Sequence, residues 1–181
     1  MSLNEFIVYA CPRGELAEQI EIFYQESLEL CGLNAAHNYM PHCTLTGFFQ
    51  DQESQIFTYI QALETAYNTA QLTAIPLRIN VTKMTFQSTW HGLELQAPSI
   101  LLLMIHFSEL VNSPTRLGAL RLKTWLHLSL AYEFQPEHAG KLKDLAQNRI
   151  NPYAQVDWEL RFYQRHPDHS WTCHQCWQLT P

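Results

Sequence analysis

Two periods run along this chain, a two-residue apolar/polar alternation suited to strands and a three-to-four-residue spacing suited to helices, and their succession predicts the elements. Phe6-Ile7-Val8-Tyr9 reads as a strand that ends at Cys11-Pro12. Leu16, Ile20, Phe23 and Leu30 then form a helical stripe, with Glu15, Glu18, Glu21, Glu26 and Glu29 largely outside it. Pro41 introduces a strand from about His42 to Phe49, and a polar turn at Asp51 leads into a second helix with Ile56, Ile60, Leu63 and Tyr67 on one face. Pro76 precedes an alternating strand that starts at Leu77 and extends towards Gln87, with Gly92 to Gln96 as its antiparallel partner. A third helix starts at Pro98-Ser99 and runs to about Val111. A loop marked by Asn112-Ser113-Pro114 and Gly118 precedes a strand from Leu126 to Phe134, and Pro136 suits the first turn of a fourth helix carrying Leu142 and Leu145. Val156 to Gln164 and Trp171 to Leu179 close the chain as a hairpin around His166-Pro167-Asp168-His169. Helices interleaved with hairpin-paired strands predict an α+β or α/β protein with a mixed or largely antiparallel sheet.

A length of 181 residues with 46% apolar and 12% aromatic side chains suits one domain, or two small lobes sharing a core. No linker, low-complexity run or charge block divides the chain. The longest apolar stretch, Ile100 to Phe107, contains His106 and is far short of a membrane span. Met1 to Ala10 lacks the layout of a secretory signal, so a cytoplasmic, soluble protein is the expectation, with no membrane partner. Cys11, Cys31, Cys43, Cys173 and Cys176 are odd in number and are read as free thiols. The net charge of −6 argues against coating of long nucleic acid, while short or terminal phosphates remain open. Residues 1–31 hold six Glu and one Arg, so an anion site is expected to lean on the later, more basic part of the chain.

Against this background one pattern recurs. His42-Cys43-Thr44-Leu45 and His127-Leu128-Ser129-Leu130 are both H-x-[T/S]-L, both fall in predicted strands, and Phe49-Gln50 matches Phe134-Gln135 at the same offset of 85 residues, from 42 to 127. Alternation puts His42 and Thr44 on one strand face, roughly 7 Å apart, and His127 and Ser129 likewise, while Cys43, Leu45, Leu128 and Leu130 take the packed face. A duplicated strand-then-helix unit packed about a pseudo-twofold axis would bring both copies to one cleft. Two imidazoles titrating near pH 6.5 suit the base and acid of phosphodiester cleavage, and two hydroxyls suit the non-bridging oxygens where charge builds; no metal is required.

Pro41-His-x-Thr-Leu and His127-Leu-Ser-Leu-x-Tyr132, over nearly the whole chain, resemble the 2H phosphoesterase superfamily, in particular its RNA 2′,3′-cyclic phosphodiesterase (2′-5′ RNA ligase-like) and cyclic phosphodiesterase members. The resemblance implies an α+β, bilobal fold with two antiparallel sheets around a central cleft and helices packed outside, residues 1–181 forming a single domain of two pseudo-symmetric lobes. It implies metal-independent hydrolysis of a cyclic (2′,3′ or 1″,2″) or 2′-5′-linked ribose phosphodiester, with no cofactor, on a small nucleotide or RNA-end substrate, by a chain expected to be monomeric. His42 and His127 carry over as acid/base residues, and Thr44 and Ser129 as phosphate binders. A module that binds RNA ends or a phosphorylated ligand without turnover is the alternative on the same fold.

Other residues are weaker candidates. Tyr132 and Trp90 are aromatics suited to stacking on a nucleobase, as are Phe48 and Tyr163, and Arg13 before the first helix is placed to meet a phosphate, although a solvated helix-start Arg is the simpler account. Arg116, Arg121 and Lys123 read as a solvated loop, with a basic lip to the cleft as the alternative. Cys173-His174-Gln175-Cys176, with His166 and His169 nearby, invites zinc, but residues three apart on a strand face opposite sides and no second CxxC exists, so no metal is expected.

Overall fold

The computed structural model describes residues 3–73 and 75–179. Among these are eight strands and four α-helices: β1 (Leu3–Arg13), α1 (Glu15–Cys31), β2 (Cys43–Thr44), β3 (Phe49–Gln52), α2 (Ile56–Gln71), β4 (Asn80–Phe86), β5 (Trp90–Gln96), α3 (Pro98–Leu110), β6 (Leu126–Tyr132), α4 (Ala139–Arg149), β7 (Asp157–Arg165) and β8 (Trp171–Leu179). Single 3-10 turns occupy Ala35–Asn38, Glu53–Gln55 and Pro136–His138. The protein is α+β, with strands in the order β4-β5-β6-β2-β1-β7-β8 and β3 added beside β1. Every described strand pair is antiparallel. No helix among the described residues is long and apolar enough to cross a membrane.

The strands form one hydrogen-bonded sheet rather than the two that the resemblance implied. The halves β4-β5-β6 and β1-β3-β7-β8 meet through the two-residue β2, which pairs Cys43 with Leu128 on one side and Thr44 and Cys43 with Tyr9 and Ala10 on the other. Alternation sorts the two faces. Phe6, Val8 and Ala10 of β1, Leu93 and Leu95 of β5, Leu128 and Leu130 of β6, and Leu160 and Phe162 of β7 point into a core to which all four helices contribute, through residues such as Phe23, Leu63, Phe107 and Leu142. The opposite face carries a small buried cluster of Ile7, Tyr9, Cys11 and Tyr163, with Met40, Phe48 and Trp171 packed against it, and this is the face that the motifs use.

Several boundaries differ from the sequence expectation; β5 starts at Trp90 rather than Gly92, and β6 ends at Tyr132 rather than Phe134. β1 runs past Cys11-Pro12 to Arg13. The Val8 N–H points to the β2 side, towards Thr46 Oγ1 at 3.0 Å. Two alternations on, the nitrogen of Pro12 points the same way, beyond the last β2 pair at Ala10 and Cys43, so its missing N–H removes no ladder bond. The strand expected from His42 to Phe49 is split into β2 and β3, because the Thr46 hydroxyl takes the Val8 N–H and Gly47 N–H turns to the Arg121 carbonyl at 2.7 Å. β4 begins at Asn80 rather than Leu77; Leu77 and Ile79 are buried in the core without joining the ladder. Between α3 and β6 the chain is irregular. Asp51 anchors its start, accepting from Ser113 Oγ, Thr115 Oγ1 and Tyr59 Oη, each at 2.6 Å.

Candidate active site

The pairing of Cys43 with Leu128 sets the geometry of both motifs. These two side chains are fully buried on the core face, so their neighbours His42, Thr44, His127 and Ser129 project from the opposite face, where all four are partly exposed. Continued one residue each way, the antiparallel register puts Thr44 opposite His127 and His42 opposite Ser129. The two imidazoles then lie on the diagonal of a four-residue square, about 7–8 Å apart at the backbone. The rings are near enough that charge on His127 lowers the pKa of His42.

Each ring addresses the carbonyl two residues before it. His42 Nδ1 lies 2.7 Å from the Met40 carbonyl oxygen. A carbonyl only accepts, so Nδ1 carries the hydrogen and, in the neutral ring, Nε2 holds the free lone pair. Burial pushes the His42 pKa down to about 4; the Met40 carbonyl opposes this and His127 adds to it. The Tyr9 ring packs against His42 at 4.0 Å between centroids, and Tyr39 at 5.4 Å. On the other side His127 stacks on Trp125 at 4.0 Å and meets the edge of Trp90 at 5.3 Å. Its Nδ1 is buried and has no hydrogen-bond partner of good geometry. Burial also lowers the His127 pKa, with Lys123 acting in the same direction, while the Trp125 carbonyl and Glu94 favour the charged ring.

Ser129 is held by its neighbours. Trp90 Nε1 donates to Ser129 Oγ at 2.9 Å, leaving the serine O–H to donate elsewhere, and the Tyr24 hydroxyl donates to the Ser129 carbonyl at 2.8 Å. The indole reaches Ser129 by folding over Gly92, the residue paired with Ser129. A Cβ at position 92 would overlap both the Trp90 ring and the Leu128 carbonyl oxygen. Trp90 therefore serves as a hydrogen-bonding brace for Ser129.

A cleft of about 280 Å³ opens on this face, lined by His42, Thr44, Tyr9, Tyr39 and Tyr132 and by Arg121 and Lys123 from the segment before β6. That segment runs beside residues 45–50, with Lys123 N–H on the Leu45 carbonyl at 2.9 Å and an isolated bridge from Thr46 to Leu122. Neither Arg121 nor Lys123 forms a salt bridge among the described residues. The basic lip is thus brought to the cleft in two of its three members; Arg116 instead turns to the Gly118 carbonyl. Tyr132 lines the cleft, with burial raising its hydroxyl pKa to about 12. Arg13 does not line it: the guanidinium is largely exposed and faces Glu159 at 3.9 Å.

Sequence reasoning missed several groups here. Glu94 pairs with His127 across β5 and β6 and binds Thr85 Oγ1 at 2.8 Å and Lys83 Nζ at 3.2 Å. Its signal was the alternation Leu93-Glu94-Leu95, which turns Glu94 to the open face once β5 is paired with the motif strand. Tyr9, Tyr39 and Trp125 carried no local signal. The alternation expected to separate Cys173 from Cys176 does not hold in β8. A register shift between Phe162 and Tyr163 leaves Cys173 opposite Tyr163 and Cys176 opposite Arg161, so the two thiols share a face after all. His174 is turned to Gln164 Oε1 at 2.9 Å and His166 to Thr172 Oγ1 at 2.8 Å, so neither joins them.

Fold and site together define an α+β protein with an imidazole- and hydroxyl-lined cleft on the open face of its sheet. No family model matches the chain. It is similar to the mouse protein named ubiquitin-associated and SH3 domain-containing protein B, 32% identical over 166 residues, which cover 90% of this chain and 25% of that one. It is also similar to proteins named ecdysteroid-phosphate phosphatase, at 28% identity over 179 residues in Bombyx mori (98% of this chain, 26% of the relative) and 28% over 203 residues in Drosophila melanogaster (91% and 26%). The chain thus spans about a quarter of the length of the curated relatives it matches.

Proposed function

We propose that this chain hydrolyses a ribose phosphodiester, cyclic (2′,3′ or 1″,2″) or 2′-5′-linked, without a metal, using His42 as general base and His127 as general acid. The pairing of the two motifs at Cys43 and Leu128 is the observation that carries this. The motif resemblance to 2H phosphoesterases and the word phosphatase in the names of two relatives support phosphoester hydrolysis in the broad sense; the cyclic or 2′-5′ substrate rests on the motifs alone. The chain works as one domain whose two motif-bearing halves each supply an imidazole and a hydroxyl.

In the proposed reaction the phosphoryl group sits over the square of His42, Thr44, His127 and Ser129, with its negative charge towards Arg121 and Lys123. The neutral His42 ring, its Nδ1–H committed to Met40, takes a proton from water at Nε2 as the water oxygen bonds to phosphorus. The bond from phosphorus to one ribose oxygen breaks, and His127, whose protonated form Glu94 and the Trp125 carbonyl favour, gives that oxygen a proton. Thr44 and Ser129 donate to the non-bridging oxygens, Ser129 oriented by Trp90. Proton exchange with solvent restores both rings.

Incubation with a panel of 2′,3′-cyclic nucleotides, a cyclic-phosphate-ended RNA, ADP-ribose 1″,2″-cyclic phosphate, 2′-5′ oligoadenylate and a phosphomonoester tests the proposal. Turnover of at least one diester in the presence of EDTA is expected. His42→Ala and His127→Ala should each reduce kcat/KM on the order of 10² to 10⁴-fold while retaining a folded circular dichroism spectrum. Full activity in either variant overturns the mechanism, and hydrolysis of the monoester alone overturns the substrate class. Affinity for a cyclic phosphate without product would instead favour the binding module.

A further inference from the structure

The two cations of the cleft, Arg121 and Lys123, come from the irregular stretch between α3 and β6 rather than from a strand. Backbone bonds tie that stretch to residues 45–50 at three points: Leu117 N–H to the Gln50 carbonyl at 2.9 Å, Gly47 N–H to the Arg121 carbonyl at 2.7 Å, and Lys123 N–H to the Leu45 carbonyl at 2.9 Å. The match is not one to one. From Leu117 to Leu122 the stretch advances five residues while its partner, from Gln50 to Thr46, advances four. Gly118, at φ 76°, lies within that excess. The Arg121 guanidinium rests over the bare backbone of Gly47, where a Cβ would stand 3.4 Å from its Nε and Nη2. So few bonds fix register weakly, and a slip of one residue would turn Arg121 and Lys123 away from the cleft.

Asp51 of β3 lies at the other end of this track, at most roughly 13 Å from Gly47 at the rise of an extended chain. Its side chain is fully buried. Oδ1 accepts from Thr115 Oγ1 at 2.6 Å and Gln52 N–H at 2.8 Å, and Oδ2 accepts from Ser113 Oγ and Tyr59 Oη, each at 2.6 Å. All four are donors, the complement of an ionised carboxylate, which only accepts. Two of them belong to the loose stretch, and two to β3 and α2 beneath it. Arg116 supplies the opposite charge nearby: burial and the Asp51 carboxylate push the Tyr59 hydroxyl pKa up, and the Arg116 guanidinium opposes them. This is why Arg116 leaves the basic lip to Arg121 and Lys123. A buried charge adds little to stability, whereas four directed bonds admit one placement of the groups that make them.

We propose that Asp51 is a positioning residue for the phosphate cleft, seating Ser113 and Thr115 and thereby setting the register of the stretch that holds Arg121 and Lys123 over the bound anion. Its catalytic consequence rests on the hydrolytic role proposed for His42 and His127. Asp51 meets no substrate, so its loss acts on the attraction of the anion and leaves proton transfer by the imidazoles intact.

The test compares Asp51→Asn with Ser113→Ala/Thr115→Ala, which removes only the donors on the stretch and leaves Tyr59 and Gln52 on the carboxylate. Turnover of a 2′,3′-cyclic nucleotide, calorimetric binding of inorganic phosphate, and limited trypsin digestion are measured for both. At low ionic strength KM should rise and phosphate affinity should fall about 3- to 10-fold, the scale of one or two partly exposed charge contacts, while kcat stays within about twofold. In an Arg121→Ala/Lys123→Ala background the same substitutions should have no further effect on either. Trypsin should cut after Arg116, Arg121 and Lys123 faster than in the wild type, with no faster cutting in α4, which separates local release from general unfolding. Should Asp51→Asn fail to fold, the Ser113→Ala/Thr115→Ala protein decides. Unchanged phosphate affinity in that protein, a loss carried by kcat, or an equal loss in the background without the two cations overturns the positioning role. Weakened phosphate binding and local trypsin release, with no turnover by the wild type, leave the role standing and remove the hydrolytic mechanism. Wild-type turnover with phosphate affinity unmoved in both variants does the reverse.

Discussion

At the scale of single residues the molecule turns on how His42 is kept neutral. Burial pushes its pKa to about 4, below the value near 6.5 of an unfolded histidine. A depressed value means the unfolded chain binds the extra proton first, so this contribution is fully present above pH 6.5 and is lost as pH falls towards 4, levelling off below. At most about 3 kcal/mol is involved. Urea unfolding between pH 4 and 7 should show a shallower loss of stability for His42→Phe than for the wild type; parallel curves would mean the ring is not held neutral. The same shift bears on catalysis. Both histidines lie below their ordinary range in the free protein, so kcat/KM should peak on the acid side of pH 6.5, falling below when His42 takes a proton and above when His127 loses one. A plateau extending to pH 8 would contradict the assigned roles.

At the scale of elements, the motif strands depend on what lies beside them. The faces of His42, Thr44, His127 and Ser129 were legible in the sequence because alternation is a local property, and the repeat pointed to their convergence. Strand adjacency is not local, so Glu94 could not be placed opposite His127, nor the choice between solvated loop and basic lip decided for Arg121 and Lys123, before pairing was known. Rules of alternation also fail where a side chain or an extra residue intrudes: Thr46 breaks the first motif strand, and the register shift in β8 returns Cys173 and Cys176 to one face. The β5–β6 pair shows how closely such neighbours are fitted. Gly92→Ala forces the Trp90 indole off Ser129 and crowds the β6 backbone, and a loss of about 1–3 kcal/mol in unfolding free energy is expected. It should be accompanied by a fall in kcat/KM larger than that of Trp90→Phe, which removes only the N–H donor. Unchanged stability and rate in Gly92→Ala would show that the indole position is irrelevant.

At the scale of the whole molecule, charge is distributed against the net sign. The chain carries −6 overall, yet the cleft presents Arg121 and Lys123 without acidic partners among the described residues. An anionic substrate is drawn by these two local cations and repelled by the remainder, and salt screens both within about 10 Å at 0.1 M. If the local pair dominates, KM for a cyclic nucleotide rises several-fold between low and physiological ionic strength, and Arg121→Ala/Lys123→Ala flattens that dependence. A KM that falls with salt would mean the overall negative field prevails.

The narrow connection through β2 has a mechanical consequence. Each imidazole is mounted beside its own half of the sheet, and the strand ladder between the halves is the pair Cys43–Leu128, while the shared core, the Tyr24–Ser129 bond and the Lys123–Leu45 bond tie the halves together elsewhere. The span between the two rings is thus that of a clamp whose jaws meet at one short rung and are braced from behind by a common core.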